Sequence, residues 1–210
     1  MKLIVPNKMN EIRLADYQRF VRLEGDEEFL ARKAVEIFCN LKMDVILQMK
    51  SASLTKVTSV LMNAFAERPA LTHKFTIGKQ TFGFIPSIEE ITVGELNDID
   101  TYISDWPNMH RAMSVLYRPV VATFGNRYEI EKYEGSEKYA EQMKEMPLDV
   151  AIGAMLFFWT LGKDLSIASL ISLEKEEGMN LTPLLNFLKS GGGFQSTISS
   201  PEATLSSLKK

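Results

Sequence analysis

The period of the apolar positions changes twice along the chain. Over residues 15–23, Tyr17, Phe20, Val21 and Leu23 recur at helical spacing, and Gly25 ends the stretch. Asp26 is placed to cap a second helix through residue 41. Its stripe of Phe29, Leu30, Lys33, Ala34, Ile37 and Phe38 is apolar except at Lys33. Residues 43–49 are apolar at Met43, Val45, Ile46, Leu47 and Met49, which suits a strand or a helix. A further helix over residues 53–67 carries Leu54, Val57, Leu61 and Phe65, and Pro69 stops it.

The middle switches to a period of two. Phe75 and Ile77 alternate on one side of Gly78-Lys79-Gln80, and Phe82 and Phe84 on the other, which predicts a β-hairpin ended by Pro86. Thr92 and Glu95 form a T-x-x-E capping box for a helix to residue 104, with Val93, Leu96, Ile99 and Ile103 as its expected buried face. Trp106-Pro107 breaks the chain before a short helix over residues 109–117. Residues 120–124 and 127–132 flank Gly125-Asn126 as a second hairpin.

The pattern then returns to helix. Ser136 is placed to cap a short helix to about residue 146, and Pro147 to open the next, with Asp149 in its first turn. Residues 150–161 (VAIGAMLFFWTL) are apolar apart from Thr160. Gly162-Lys163-Asp164 separates that run from a helix over residues 166–177, closed by Gly178. Thr182-Pro183 opens a last short helix, and Gly191-Gly192-Gly193 begins a Gly/Ser-rich stretch. The expected fold is α+β and mostly helical, with two β-hairpins in the middle of the chain. Residues 1–189 read as a single domain, helical over 1–70, hairpin-containing over 71–135 and helical over 136–189. Residues 190–210 read as a tail.

Composition narrows the class. Hydrophobic residues make up 45% and charged residues 24%, too apolar and too weakly charged for a wholly disordered chain. The net charge of −3 lacks the basic footprint of a nucleic-acid binder. The apolar run is shorter than the roughly 20 residues of a membrane span, and Lys163 and Asp164 would fall inside any longer one. Cys39 is the single cysteine, so no intramolecular disulfide framework exists. The opening apolar stretch, Leu3 to Val5, is cut by Pro6 and does not read as an export signal.

Chemistry-bearing motifs are sparse. His73, His110 and Cys39 sit at no zinc-binding spacing. Gly191-Gly192-Gly193 has no following Lys-Ser/Thr, and no G-x-S-x-G occurs, so neither a cofactor nor a nucleophile is expected. The acidic stretch from Glu89 to Asp105 has no basic residue in it, and Asp98 and Asp100 there are the one candidate pair for a divalent cation in an enzyme. Their two-residue spacing keeps them off a common helix face, which favours a solvated acidic surface. Met109, Met113, Met143, Met146 and Met155 suit either an adaptable apolar surface or core filling.

Two stretches resemble small proteins of tailed bacteriophages. Residues 9–20 (MNEIRLADYQRF) are similar to the opening of such proteins. Residues 146–158 (MPLDVAIGAMLFF) are similar to the apolar helix, opened by Pro and Asp, of tail assembly chaperone-like proteins. The resemblance implies a non-enzymatic protein that coats apolar segments of a tape-measure or tube protein before the tail polymerises. It also implies a place in the cytoplasm of an infected bacterium or in the virion. The two hairpins depart from a purely helical pattern and leave room for a virion component (neck, baseplate or capsid-associated) docked through its C-terminal tail. Partner contacts are expected at Met155, Phe158, Trp159, Phe194, Leu205 and Leu208, with self-association as a further expectation.

Overall fold

A helical block, an antiparallel sheet and a long final helix share one core in the computed structural model, which describes residues 3–177. The helical block is α1 (Leu14–Phe20), α2 (Glu27–Phe38), α3 (Met43–Leu47) and α4 (Ser51–Phe65). Asp26 caps α2 as expected, its Oδ1 accepting from the Phe29 amide at 2.7 Å. The helix closes with Asn40 in the left-handed region (φ 50°) and the Leu41 amide donating back to the Glu36 carbonyl at 3.2 Å. That closing turn satisfies a carbonyl that would otherwise be orphaned at the helix end. The inward stripe of α2 is Ala34, Val35, Ile37 and Phe38, so Val35 displaces Phe29 and Leu30 from the most buried positions. Residues 43–47 settle as helix rather than strand.

The two expected hairpins form: β1 (Lys74–Ile77) with β2 (Gln80–Phe84), and β3 (Tyr117–Phe124) with β4 (Arg127–Ile130). Each turns on a glycine at the first loop position, Gly78 at φ 60° and Gly125 at φ 59°, which a side chain would strain. They are not separate. β2 and β3 pair antiparallel through Phe82–Pro119, Gly83–Arg118 and Phe84–Tyr117, giving one sheet in the order β1-β2-β3-β4. Pro119 has no amide to donate and lies beside the β3 irregularity at Val120/Ala122. Its carbonyl accepts from the Glu131 amide at 2.9 Å, so the strand turns from β2 toward β4 there.

The β2–β3 pairing is joined through α5 (Val93–Tyr102) and α6 (Met109–Leu116). The capping box of α5 is present, with Thr92 N donating to Glu95 Oε2 at 2.8 Å and Glu95 N donating to Thr92 Oγ1 at 3.3 Å. Its buried face differs from the expected one. Ile99 and Ile103 are inside, but Val93 is 86% and Leu96 57% exposed, and Glu95 is buried in their place. The reason is Arg118 on β3, whose Nη2 meets Glu95 Oε1 at 2.7 Å with both side chains nearly out of solvent. A buried cation requires a buried anion. The helix therefore turns Glu95 inward and carries Val93 and Leu96 outward.

Two further expectations change in the last part of the chain. Ser136 does not cap a helix; it is buried, its carbonyl accepting from the Ser114 hydroxyl, and only α7 (Ala140–Met143) follows. The Gly162-Lys163-Asp164 break does not occur either. One helix of 30 residues, α8 (Leu148–Glu177), runs straight through it, because a single glycine costs a helix only about 1 kcal/mol. Gly178, the expected helix at Thr182-Pro183 and the Gly/Ser-rich stretch lie outside the described residues.

Candidate partner-binding surface

The start of α8 is anchored to the N-terminal segment. The Leu148 amide donates to the Ile12 carbonyl and the Leu14 amide to the Met146 carbonyl, both at 2.9 Å, so Arg13 and Pro147 form an isolated antiparallel bridge. The two stretches that carry the phage resemblance are thus bonded to each other. Pro147 precedes the first helical residue rather than being it, and its carbonyl accepts from the Val150 amide at 3.2 Å. Leu148, Val150, Ala151, Ile152, Ala154 and Met155 then sink into the core. Gly153 passes so close to the chain that a Cβ there would lie 2.5 Å from the Ala70 carbonyl oxygen.

Burial fades one turn later. Phe157 and Phe158 lie over Phe84 of the sheet, ring centroids 5.6 and 6.1 Å away, and Trp159 packs partly on the core. Among the described residues no apolar side chain after Trp159 joins the core. Thr160, Asp164, Ala168, Ile171 and Ser172 are exposed.

Placed on this frame, the expected contact residues separate. Met155 is 2% exposed and is a correction: it sits one turn too early, where α8 is still enclosed, and cannot present its side chain outward. Phe158 and Trp159 are half-buried at the boundary, with part of each ring accessible. Phe194, Leu205 and Leu208 lie outside the described residues. The residues that sequence reasoning missed are Ala168 and Ile171, hidden because the helix was expected to break between them and Trp159.

The methionine group resolves as core filling. Met109, Met113, Met143, Met146 and Met155 are all buried, so none of the five lends the surface an adaptable side chain.

The acidic stretch is also accounted for. Tyr133 donates to Asp98 Oδ2 at 2.6 Å, and that bond, with a further one from Ser136, holds the Asp98 carboxyl below its ordinary range. Tyr133 is raised to about 12, by burial first and then by the Asp98 carboxylate. Asp100 is exposed on another face of α5. The two carboxylates do not converge, and among the described residues no group of three or more His, Cys, Asp or Glu side chains could hold a metal.

The remaining titratable groups fit structural roles. Gln18 Nε2 donates to the Trp106 carbonyl at 2.8 Å and lies 3.0 Å from His110 Nδ1, and burial pushes His110 below the usual histidine value. Burial raises the Cys39 thiol to about 11, so it is a poor nucleophile at the end of α2. Burial likewise raises Asp149, which with Glu67, Lys8 and Asn10 lines an open cavity of about 290 Å³. A raised Asp149 weakens any claim of that cavity on a cation.

Among the described residues, no helix is long and apolar enough to cross a membrane. The exposed large apolar side chains among the described residues are Ile4, Leu47 and Val60, Val93 and Leu96 on α5, Val121 and Phe124 on β3, and Ile171 on the distal half of α8. Comparison with known proteins finds no family model, no curated protein and no solved structure that matches this chain.

Proposed function

We propose that the protein is a non-enzymatic tail assembly or structural protein of a tailed bacteriophage. On this reading it binds an apolar partner segment, such as part of a tape-measure or tube protein, along the distal half of α8. One observation carries the binding surface: an apolar helix leaves the core at Trp159 and continues through Ile171 with no covering element among the described residues. Ala168 and Ile171 are exposed there beside Thr160, Asp164 and Ser172, and a bulky apolar side chain such as Ile171 is open to a partner. The phage context rests on the resemblance of residues 9–20 and 146–158; these segments fold onto each other, and the second opens the helix in question. The place of action on this reading is the cytoplasm of the infected bacterium.

A second reading, a virion component, is favoured by the separate exposed apolar residues Val93, Leu96, Val121 and Phe124, since a part with several neighbours needs more than one contact surface.

Calorimetric titration with an apolar helical peptide taken from a tape-measure protein tests the first reading. Binding is expected, weakened about tenfold by Ile171→Asp and unchanged by Val121→Asp. No binding by the wild-type chain, or equal loss in both variants, overturns it.

A further inference from the structure

We infer that the distal half of α8 pairs with the same segment of a second copy, antiparallel, about a two-fold axis between Lys163 and Asp164. This rests on the reading that distal α8 is a binding surface, and it names what occupies that surface when no other partner is present.

The charges choose the occupant and the direction. Between Val150 and Leu173 the only charged residues are Lys163 and Asp164, adjacent to each other in the middle of the exposed half. Among the described residues neither makes an ion pair, and Asp164 is exposed. The partner that matches this helix best brings an anion opposite Lys163 and a cation opposite Asp164. A second copy does so only when antiparallel. Parallel helices set lysine against lysine and aspartate against aspartate, whereas antiparallel ones set Lys163 against Asp164 of the second copy twice over. The arrangement is isologous and closes at two copies. It also opposes the two helix dipoles favourably.

The same axis orders the neighbouring levels. Residues equally far from it meet at the same height, so Trp159 stands against Ala168 of the second copy, a large side chain against a small one. Leu156 stands against Ile171. Leu156 and Trp159 are half-buried and Ala168 and Ile171 exposed, so each level joins a partly covered residue to an open one. The strip over residues 156–171 is about 24 Å long and about 10 Å wide, roughly 240 Å², which falls short of the roughly 800 Å² per partner of a standard stable interface. The pair is accordingly weak, and a partner with a longer apolar face displaces it.

Sedimentation of the full chain over a wide concentration range tests the pairing. The wild type is expected to show a monomer–dimer equilibrium. Lys163→Asp and Asp164→Lys should each weaken it about tenfold, since each sets like charges against one another. An equimolar mixture of the two variants should restore the dimer, because one copy then carries two acidic and the other two basic side chains at the axis. Circular dichroism of each variant confirms that α8 is intact. A wild type that stays monomeric throughout, a dimer that neither variant weakens, or a mixture that stays monomeric overturns the inference. Peptide titration on the same samples separates the two proposals. Peptide binding by a monomeric wild type overturns the pairing alone. Charge-dependent pairing without peptide binding supports the pairing and overturns only the proposed partner.

Discussion

The two halves of α8 are made of much the same residues and live in opposite surroundings. Leu148 and the preceding Met146 are hydrogen-bonded to Ile12 and Leu14, Gly153 is pressed against Ala70, and the apolar residues from Leu148 to Met155 are enclosed by the core. Residues 160–171 are equally rich in leucine, isoleucine and alanine, yet none of the described side chains among them joins the core. Apolar character alone therefore does not decide burial. What decides it is whether another element arrives to cover the helix, and here the N-terminal segment and the sheet cover only the first half. The same composition is buried in the core in one place and leaves Ala168 and Ile171 exposed in the other.

Substitutions at matched positions give the largest test of this contrast. Met155→Ala empties a filled position in the core and should cost about 2–5 kcal/mol. Ile171→Ala removes a similar side chain from an exposed position and should change stability by less than about 0.5 kcal/mol. Chemical denaturation of the two variants measures both. Equal losses would mean that the distal half is covered after all.

The two glycines of the helix give a smaller effect, but one of opposite sign. At Gly153 an added methyl group meets the Ala70 carbonyl oxygen, so Gly153→Ala should destabilise by about 1–3 kcal/mol. At Gly162 a Cβ would meet nothing within 4 Å, and Gly162→Ala should stabilise by up to about 1 kcal/mol through helix propensity. Melting temperatures that move in the same direction for both would erase the contrast.

Periodicity made most of this fold legible. The stripes at Val57, Leu61 and Phe65 and the alternation around Gly78 and Gly125 all correspond to observed elements, as does the Thr92–Glu95 capping box. Long-range pairing was not legible. Nothing near Phe84 announces that it will lie beside Tyr117, and that one pairing turns two hairpins into a sheet. The α5 face was misread for a related reason. Val93 and Leu96 have the right spacing to be buried, but Glu95 is turned inward in their place, paired with Arg118, which is distant in sequence. The candidate surface was half legible. Phe158 and Trp159 were visible as apolar residues, but where the cover ends depends on elements elsewhere in the chain.

The smallest predicted effect is a slope with pH at the anchored end of α8. Asp149 stands in the first turn, where the helix dipole favours a carboxylate, but burial with one oxygen lacking a hydrogen-bond partner works against it and raises its pKa above 3.8. A raised native value means that the folded protein binds this proton more tightly than the unfolded chain does. This residue therefore takes stability away as pH rises from the unfolded value through the folded one, and the penalty is complete above that window. Asp149→Asn removes the charge without changing the shape. Relative to wild type the variant should gain stability as pH rises from about 3.5 to 7, and the difference should level off beyond the folded value. Urea denaturation of both proteins at several pH values isolates the effect, because every other titrating group cancels in the difference. A difference that stays flat, or that falls with rising pH, would mean that the helix dipole outweighs burial even at the enclosed end, and that this end is less tightly sealed than its packing indicates.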